Sequence, residues 1–64
     1  MKIINIGNGV KCEIFSHPSV ERKVWRLNGK LHRLDGPAIE WVGGYNEFWI
    51  NGYPYTEEEF EIYL

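Results

Sequence analysis

The Asn-Gly pairs at positions 28–29 and 51–52 constrain the fold of this 64-residue chain more than any other feature. A type I′ hairpin turn needs positive φ at both central residues, and Asn-Gly is the pair that adopts this conformation most readily. Gly7-Asn8-Gly9 and Gly43-Gly44 provide further tight turns. The runs between these turns are short and β-prone, so the sequence predicts antiparallel strands joined by hairpins.

These runs predict a mainly β (α+β) fold, an antiparallel β-hairpin meander of about five to six short strands with a short C-terminal helix. Pro18 and the turn at 34–37 interrupt the pattern, because proline cannot donate a hydrogen bond to a strand ladder. The predicted strands are 2–6, 10–15, 20–27, a short return at 30–32, 38–42 and 45–50.

The predicted helix covers residues 56–64, where a capping box opens the segment Thr56-Glu57-Glu58-Glu59. In such a box the Thr56 hydroxyl accepts the amide of Glu59, and the Glu59 carboxylate accepts the amide of Thr56. Phe60 and Tyr63 are three residues apart and share one face. A helix this short forms only when that face packs on the sheet.

An internal repeat relates the segments 25–32 and 48–55, at an offset of 23 residues. Both contain, in order, an aromatic residue, an aliphatic residue, Asn and Gly. Recurrence at such a period is typical of stacked repeat units. The sequence therefore predicts one small domain, 1–64. Its parts are an N-terminal hairpin cap (1–24), two hairpin units (25–55) and the helix (56–64).

Segment 28–38, with the sequence NGKLHRLDGPA, resembles the NGxxHRxDGPA repeat of small phage and viral proteins, which is similar in style to the MORN β-hairpin repeat. The later WING and TEEEF segments look like the end of such repeat arrays, so the resemblance covers about residues 25–61. It does not extend to residues 1–24. In the second copy, 53–56 has YPYT where His-Arg would fall. The resemblance implies a hairpin meander and a phage origin, and it supplies no biochemical activity. By analogy with other very short phage proteins that lack catalytic groups, a host-directed binder is expected, such as an inhibitor of a defence protein in the host cytoplasm.

Composition argues against several functional classes. With seven basic and nine acidic residues, a net charge of −2 disfavours non-specific nucleic-acid binding. No apolar run approaches the roughly 20 residues of a membrane-spanning helix, so no membrane partner is expected. Residues 57–61 could mimic phosphate charges, but a capping box with a solvated helix face explains them better. A lone cysteine without a targeting segment predicts a cytoplasmic protein.

The sequence also predicts that the chain is not an enzyme and needs no cofactor or metal. It contains no Ser/His/Asp set and no glycine-rich phosphate loop. Cys12, His17 and His32 have none of the usual metal-ligand spacings. Cys12 is expected to be a small buried residue and His17 a solvated loop residue. Arg33 is expected to pair with Asp35 or with a neighbouring strand, which gives the His32–Asp35 segment a structural role.

Ten aromatic residues are more than the core of such a small domain can enclose, so some rings are expected on the surface. Exposed Trp and Tyr near Arg are typical of protein interfaces, so a host protein is the predicted partner. A nucleotide-like ligand sequestered by a homo-oligomer is an alternative, with Arg26, His32 and Arg33 among its contacts. A structural or adaptor repeat module is a second. The predicted binding residues are Trp25, Arg26, His32, Arg33, Trp41, Tyr45, Trp49, Tyr53 and Tyr55.

Overall fold

The computed structural model describes residues 2–16 and 21–63, which form an antiparallel sheet and one helix. The predicted fold class is confirmed. These residues form seven strands rather than five or six, because the short segment after the Asn51-Gly52 turn also pairs. The elements are β1 (Lys2–Gly7), β2 (Val10–Ser16), β3 (Glu21–Leu27), β4 (Lys30–Leu31), β5 (Ile39–Trp41), β6 (Asn46–Ile50), β7 (Tyr53–Tyr55) and α1 (Glu57–Tyr63).

Most of the sheet follows chain order, β1-β2-β3-β5-β6-β7, and β4 pairs with β3 beside β5. The predicted strands at 30–32, 38–42 and 45–50 are each shortened by one or two residues. The predicted solvated histidine, His17, lies outside the described residues. Within the described part of the chain, no helix has the length and apolar character needed to cross a membrane.

The Asn-Gly turns adopt the predicted conformation. Asn28 and Gly29 have φ angles of 50° and 85°, and Asn51 and Gly52 have φ angles of 51° and 83°. The two repeats also form hairpins in the same register. Leu27 pairs with Lys30 in the first, and Ile50 pairs with Tyr53 in the second. The repeated sequence is thus a repeated structure.

Between β4 and β5, residues 32–38 leave the sheet and form what we call the interruption loop. Main-chain hydrogen bonds join its start to the second hairpin. Arg33 N donates to Trp49 O, and Gly52 N donates to Leu31 O. His32 adds a third link, because its Nδ1 accepts a hydrogen bond from Asn51 N at 3.0 Å. The His-Arg pair of the repeat therefore attaches one hairpin to the next.

The two faces of the sheet differ in what covers them. Directly opposed residues of antiparallel strands point to the same side, so the strand register assigns each residue to a face. The covered face carries the helix and the interruption loop. Phe60 packs on Phe48 with 4.8 Å between ring centroids, and Tyr63 packs on Tyr55 at 6.0 Å. The register places on this face Ile4, Cys12, Ile14, Lys23, Trp25, Glu40, Asn46, Phe48, Ile50 and Tyr55.

We call the opposite side the open face, because the helix and the interruption loop both pack on the covered one. The domain is correspondingly flat, with principal extents of 35 × 28 × 15 Å. The register places on the open face Lys11, Glu13, Phe15, Arg22, Val24, Arg26, Ile39, Trp41, Glu47 and Trp49.

The core is small and divided between the two faces. Cys12, Ala38 and Ile50 are buried on the side of the loop and helix, together with Phe60 of the helix itself. The predicted capping box is present at the start of that helix. Thr56 N donates to Glu59 Oε1 at 2.9 Å, and Glu59 N donates to Thr56 Oγ1 at 3.1 Å. The capping bonds therefore stabilise the first turn of the helix, and the packing of Phe60 on Phe48 holds the helix on the sheet.

Candidate binding surface

A row of aromatic and charged side chains crosses the open face from β2 to β6. It starts with the cross-strand pairs Phe15–Arg22 and Arg22–Trp41. The guanidinium carbon of Arg22 lies 4.3 Å from the ring centroid of Phe15 and 5.1 Å from that of Trp41. Both contacts are cation–π interactions, so one cation of β3 is held between two rings on the strands that flank β3.

Glu47 continues the row. One carboxylate oxygen accepts the indole N–H of Trp41 at 2.8 Å, and the other accepts that of Trp49 at 3.1 Å. An indole nitrogen is only a donor, so one carboxylate satisfies both rings and fixes their orientation. We call Phe15, Arg22, Trp41, Glu47 and Trp49 the aromatic row. All five side chains are half-buried.

The open face has a local positive bias, although the chain as a whole is acidic. Its described part carries three cations, Lys11, Arg22 and Arg26, and two carboxylates, Glu13 and Glu47. Both carboxylates are engaged within the chain. Glu13 accepts a hydrogen bond from Arg26 Nε at 2.8 Å, and Glu47 binds the two indoles.

Arg22 differs from the other two arginines in its contacts. Across residues 2–16 and 21–63, Arg26 and Arg33 form ion pairs with carboxylates, whereas the contacts of the Arg22 guanidinium are with rings. A guanidinium stacked between rings still presents its N–H groups at its edge. Arg22 is therefore well placed to donate hydrogen bonds to an acceptor outside the chain.

A second cluster lies on the covered face around Arg33. Its guanidinium carbon stacks 3.8 Å from the Trp25 ring centroid. The same group donates hydrogen bonds to Asp35 Oδ1 at 2.9 Å, to Pro37 O at 3.1 Å and to Glu40 Oε2 at 3.2 Å. The predicted pairing of Arg33 with Asp35 is confirmed. These contacts close the interruption loop on the sheet.

The charges in this cluster influence two titrating groups. The hydrogen bond from Arg33 holds the pKa of Asp35 below its ordinary value, and the positive charge of Arg33 acts in the same direction. Burial raises the pKa of the Cys12 thiol, although the positive charge of Lys23 opposes this effect. A raised pKa leaves less thiolate, so Cys12 has the properties of the predicted buried residue rather than of a nucleophile.

The structure separates the predicted binding residues into distinct groups. Trp41 and Trp49 belong to the aromatic row, and Arg26 lies beside it in an ion pair. Tyr45 and Tyr53 are exposed in or next to turns. The remaining predicted residues lie on the covered face or in the interruption loop, namely Trp25, His32, Arg33 and Tyr55.

Sequence reasoning missed three members of the aromatic row: Phe15, Arg22 and Glu47. The alternation of Glu47 with Trp49 could have indicated that they share a face. Phe15 and Arg22 lie on different strands, β2 and β3, and nothing local in the sequence sets the register that pairs them. The row could therefore be recognised only once the strand pairing was known.

The described residues contain no cluster of three or more His, Cys, Asp or Glu side chains that could hold a metal ion. Comparison of the chain with protein-family models, curated proteins and solved structures found no match. The surface itself is therefore the basis for a functional proposal.

Proposed function

We propose that the chain is a non-catalytic binding protein whose aromatic row engages an acidic segment of a partner protein. The observation that carries this proposal is the position of Arg22 between Phe15 and Trp41 on the open face. An arginine held in this way offers paired N–H groups, which match a carboxylate geometrically. The positive bias of the open face favours the same kind of partner.

The neighbouring rings supply the apolar part of such an interface. Trp and Arg are the residues most enriched among side chains that dominate binding energy. It also matters that these rings are already fixed in the free chain, because each side chain that is immobilised on binding reduces the binding free energy by about 0.5–1.5 kcal/mol. Glu47 already fixes the indoles of Trp41 and Trp49, which reduces that cost.

The contacts favour a protein partner over a sequestered nucleotide. The nucleotide hypothesis depends on Arg26, His32 and Arg33, and all three already have partners within the chain. Small-molecule sites are concave and enclose most of the ligand. The aromatic row instead spans neighbouring strands of a flat sheet, a form suited to a protein surface.

The resemblance to phage repeat proteins extends the proposal. If the chain is phage-encoded, the partner is a host protein in the cytoplasm, and a bound chain inhibits that protein by covering its surface. The proposed target is a host defence protein. Inhibition here requires only occupancy of a site, so it places no demand on catalytic groups.

The three tryptophans provide a direct test. A tagged chain would capture its partner from host lysate, and the partner, identified by mass spectrometry and purified, would be titrated into ¹⁵N-labelled chain. We expect the indole N–H resonances of Trp41 and Trp49 to shift, while that of Trp25, on the opposite face, stays unchanged. A response at Trp25 alone would contradict the proposal.

Two arginine variants on the same face test the role of charge. Arg22→Gln should weaken binding at least about tenfold, which corresponds to about 1.4 kcal/mol. Arg26→Gln removes the same charge from a residue already paired with Glu13, and it should have a much smaller effect. Equal losses in the two variants would reduce the role of Arg22 to general electrostatic attraction.

A further inference from the structure

The two edge strands of the sheet differ, and β1 is the unprotected edge. All six residues of β1 are exposed, and its isoleucines are prominent: Ile3 is 52%, Ile4 42% and Ile6 56% accessible. An exposed apolar edge strand presents unpaired main-chain groups and readily pairs with another strand. β1 carries few of the features that prevent such pairing, since its single charged residue is Lys2 at the strand's start.

The opposite edge, β7, is protected. It has only three residues, with Pro54 at its centre, and α1 packs against it. Proline lacks the N–H that a further strand would need. Because strand addition is favoured at one edge only, pairing between copies gives a closed two-fold assembly and not a growing filament.

The hydrogen bonds of β3 identify which groups of β1 point outward. Trp25 N donates to Ala38 O, and Trp25 O accepts from His32 N, so both main-chain groups of Trp25 point away from β2. Its partner across β2–β3 is Cys12, whose main-chain groups must therefore point toward β1. Cys12 is opposite Ile4, so the main-chain groups of Ile4 bond to β2. Because the direction alternates along a strand, the neighbouring residues Ile3 and Asn5 direct their N–H and C=O groups away from β2, toward the outside of the sheet.

We propose that β1 pairs antiparallel with β1 of a second copy, with Ile4 of each copy on the two-fold axis. In this register Ile3 is opposite Asn5 of the second copy, and Asn5 is opposite Ile3. Each of these two pairs exchanges both of its main-chain hydrogen bonds. The central Ile4–Ile4 pair is of the non-hydrogen-bonded type, which brings the two side chains close together.

The sequence of β1 is self-complementary in this register, which is why a second copy is the occupant. Lys2 falls opposite Ile6 of the other copy, so no like charges are directly opposed. The bulge between Asn5 and Gly7 marks the end of the regular pairing segment. The proposal is independent of the aromatic row, which occupies strands farther along the sheet.

Sedimentation equilibrium over a wide concentration range tests the assembly. The wild-type mass should rise with concentration from 7.6 kDa toward twice that value. Ile4→Lys places two lysines on the axis, and Ile3→Pro removes an outward N–H without removing a β1–β2 hydrogen bond; each should weaken dimerisation at least tenfold. Ile62→Lys, at an 85% exposed helix position, is the matched control and should still dimerise. A wild-type chain that stays monomeric at every concentration, or an Ile4→Lys chain that dimerises normally, would overturn the proposal.

A cysteine variant tests the register independently. In a Cys12→Ala background, Ile4→Cys places two thiols at a cross-strand pair whose Cα separation suits a disulfide. Mild oxidation should link this variant rapidly into a covalent dimer, whereas Ile62→Cys should link slowly. Arg22→Gln in the same background should not alter the rate, which separates this proposal from the proposed function. Equal rates at positions 4 and 62 would refute the two-fold pairing.

Discussion

The guanidinium carbon of Arg33 lies 3.8 Å from the centroid of the Trp25 ring. The same guanidinium bonds to Asp35, to the carbonyl of Pro37 and to Glu40. One side chain thus connects the sheet to both ends of the interruption loop. This connection gives a physical reason for the arginine in the HRLDGP segment: it holds closed a loop that leaves the sheet and returns to it.

Replacing this arginine should destabilise the fold. Arg33→Ala removes a stack and several charge-assisted hydrogen bonds, and we expect the free energy of unfolding to fall by about 2–3 kcal/mol. Arg33→Lys should lose most of the same stability, because an ammonium group cannot reproduce the planar fork. Urea denaturation measures both.

Arg26→Ala is the control for this experiment. Its side chain is 40% accessible, against 19% for Arg33, and within the described residues its ion pair is with Glu13. We expect a cost of about 0–1 kcal/mol, as is usual for exposed pairs. Equal urea midpoints for Arg33→Ala and Arg26→Ala would show that Arg33 does not hold the loop.

The position of the Arg33 guanidinium should also make glycine necessary at position 36. A Cβ atom at this position would lie 3.0 Å from Cζ of Arg33, closer than ordinary van der Waals contact. We expect Gly36→Ala to cost about 1–2 kcal/mol through overpacking. In an Arg33→Ala background the penalty should fall to about 0.5 kcal/mol or less, since the obstacle is gone. A double-mutant cycle measures this coupling, and strict additivity would be the opposing result.

Local chemistry made much of the fold predictable. The positive φ of Asn28 and the capping box at Thr56 depend only on nearby residues, and both were predicted from the sequence. The aromatic row could not be predicted, because Phe15, Arg22 and Trp41 meet only through the register of three strands. The sequence also did not predict that the loop and the helix pack on the same face of the sheet. The sequence pattern does not choose a face for either.

The Asn28-Gly29 turn allows backbone strain to be measured separately from packing. A Cβ at Gly29 would meet no atom within 4 Å, so a substitution there reports on φ, which is 85°. We expect Gly29→Val to cost about 1–3 kcal/mol. Gly29→D-Ala, introduced by chemical synthesis, favours positive φ and should stabilise by about 0.4–1 kcal/mol.

Gly52→Val should behave like Gly29→Val, because its φ is 83° in the equivalent turn. Thermal unfolding of the variants provides the comparison. Neutral effects of both valine substitutions would be incompatible with the observed turns, as would a destabilising D-Ala at position 29.

The helix cap can be tested within a single turn. Thr56→Ala removes the acceptor of the Glu59 amide and should cost about 1 kcal/mol. Glu58→Ala is the matched control, since it removes a carboxylate from the same turn and leaves both capping bonds intact. Its effect should be limited to the loss of a helix-dipole interaction, about 0.3–1 kcal/mol. The urea midpoint should therefore move further for Thr56→Ala; the reverse order would argue against the cap.

The ion pair at Asp35 predicts a specific response to acid. Because Arg33 lowers the pKa of the folded carboxyl below its ordinary 3.8, the unfolded chain takes up this proton first as the pH falls. The stabilisation is therefore complete above about pH 5, and it is lost as the pH drops through 3.8 toward the folded pKa. Asp35→Asn should remove this component, so the midpoints of wild type and variant should converge in acid and separate near neutrality. The separation should shrink at high salt, because Asp35 is largely exposed and its charge is screened. A constant offset between the two proteins from pH 2 to pH 7 would show that the carboxylate charge contributes nothing to holding the loop.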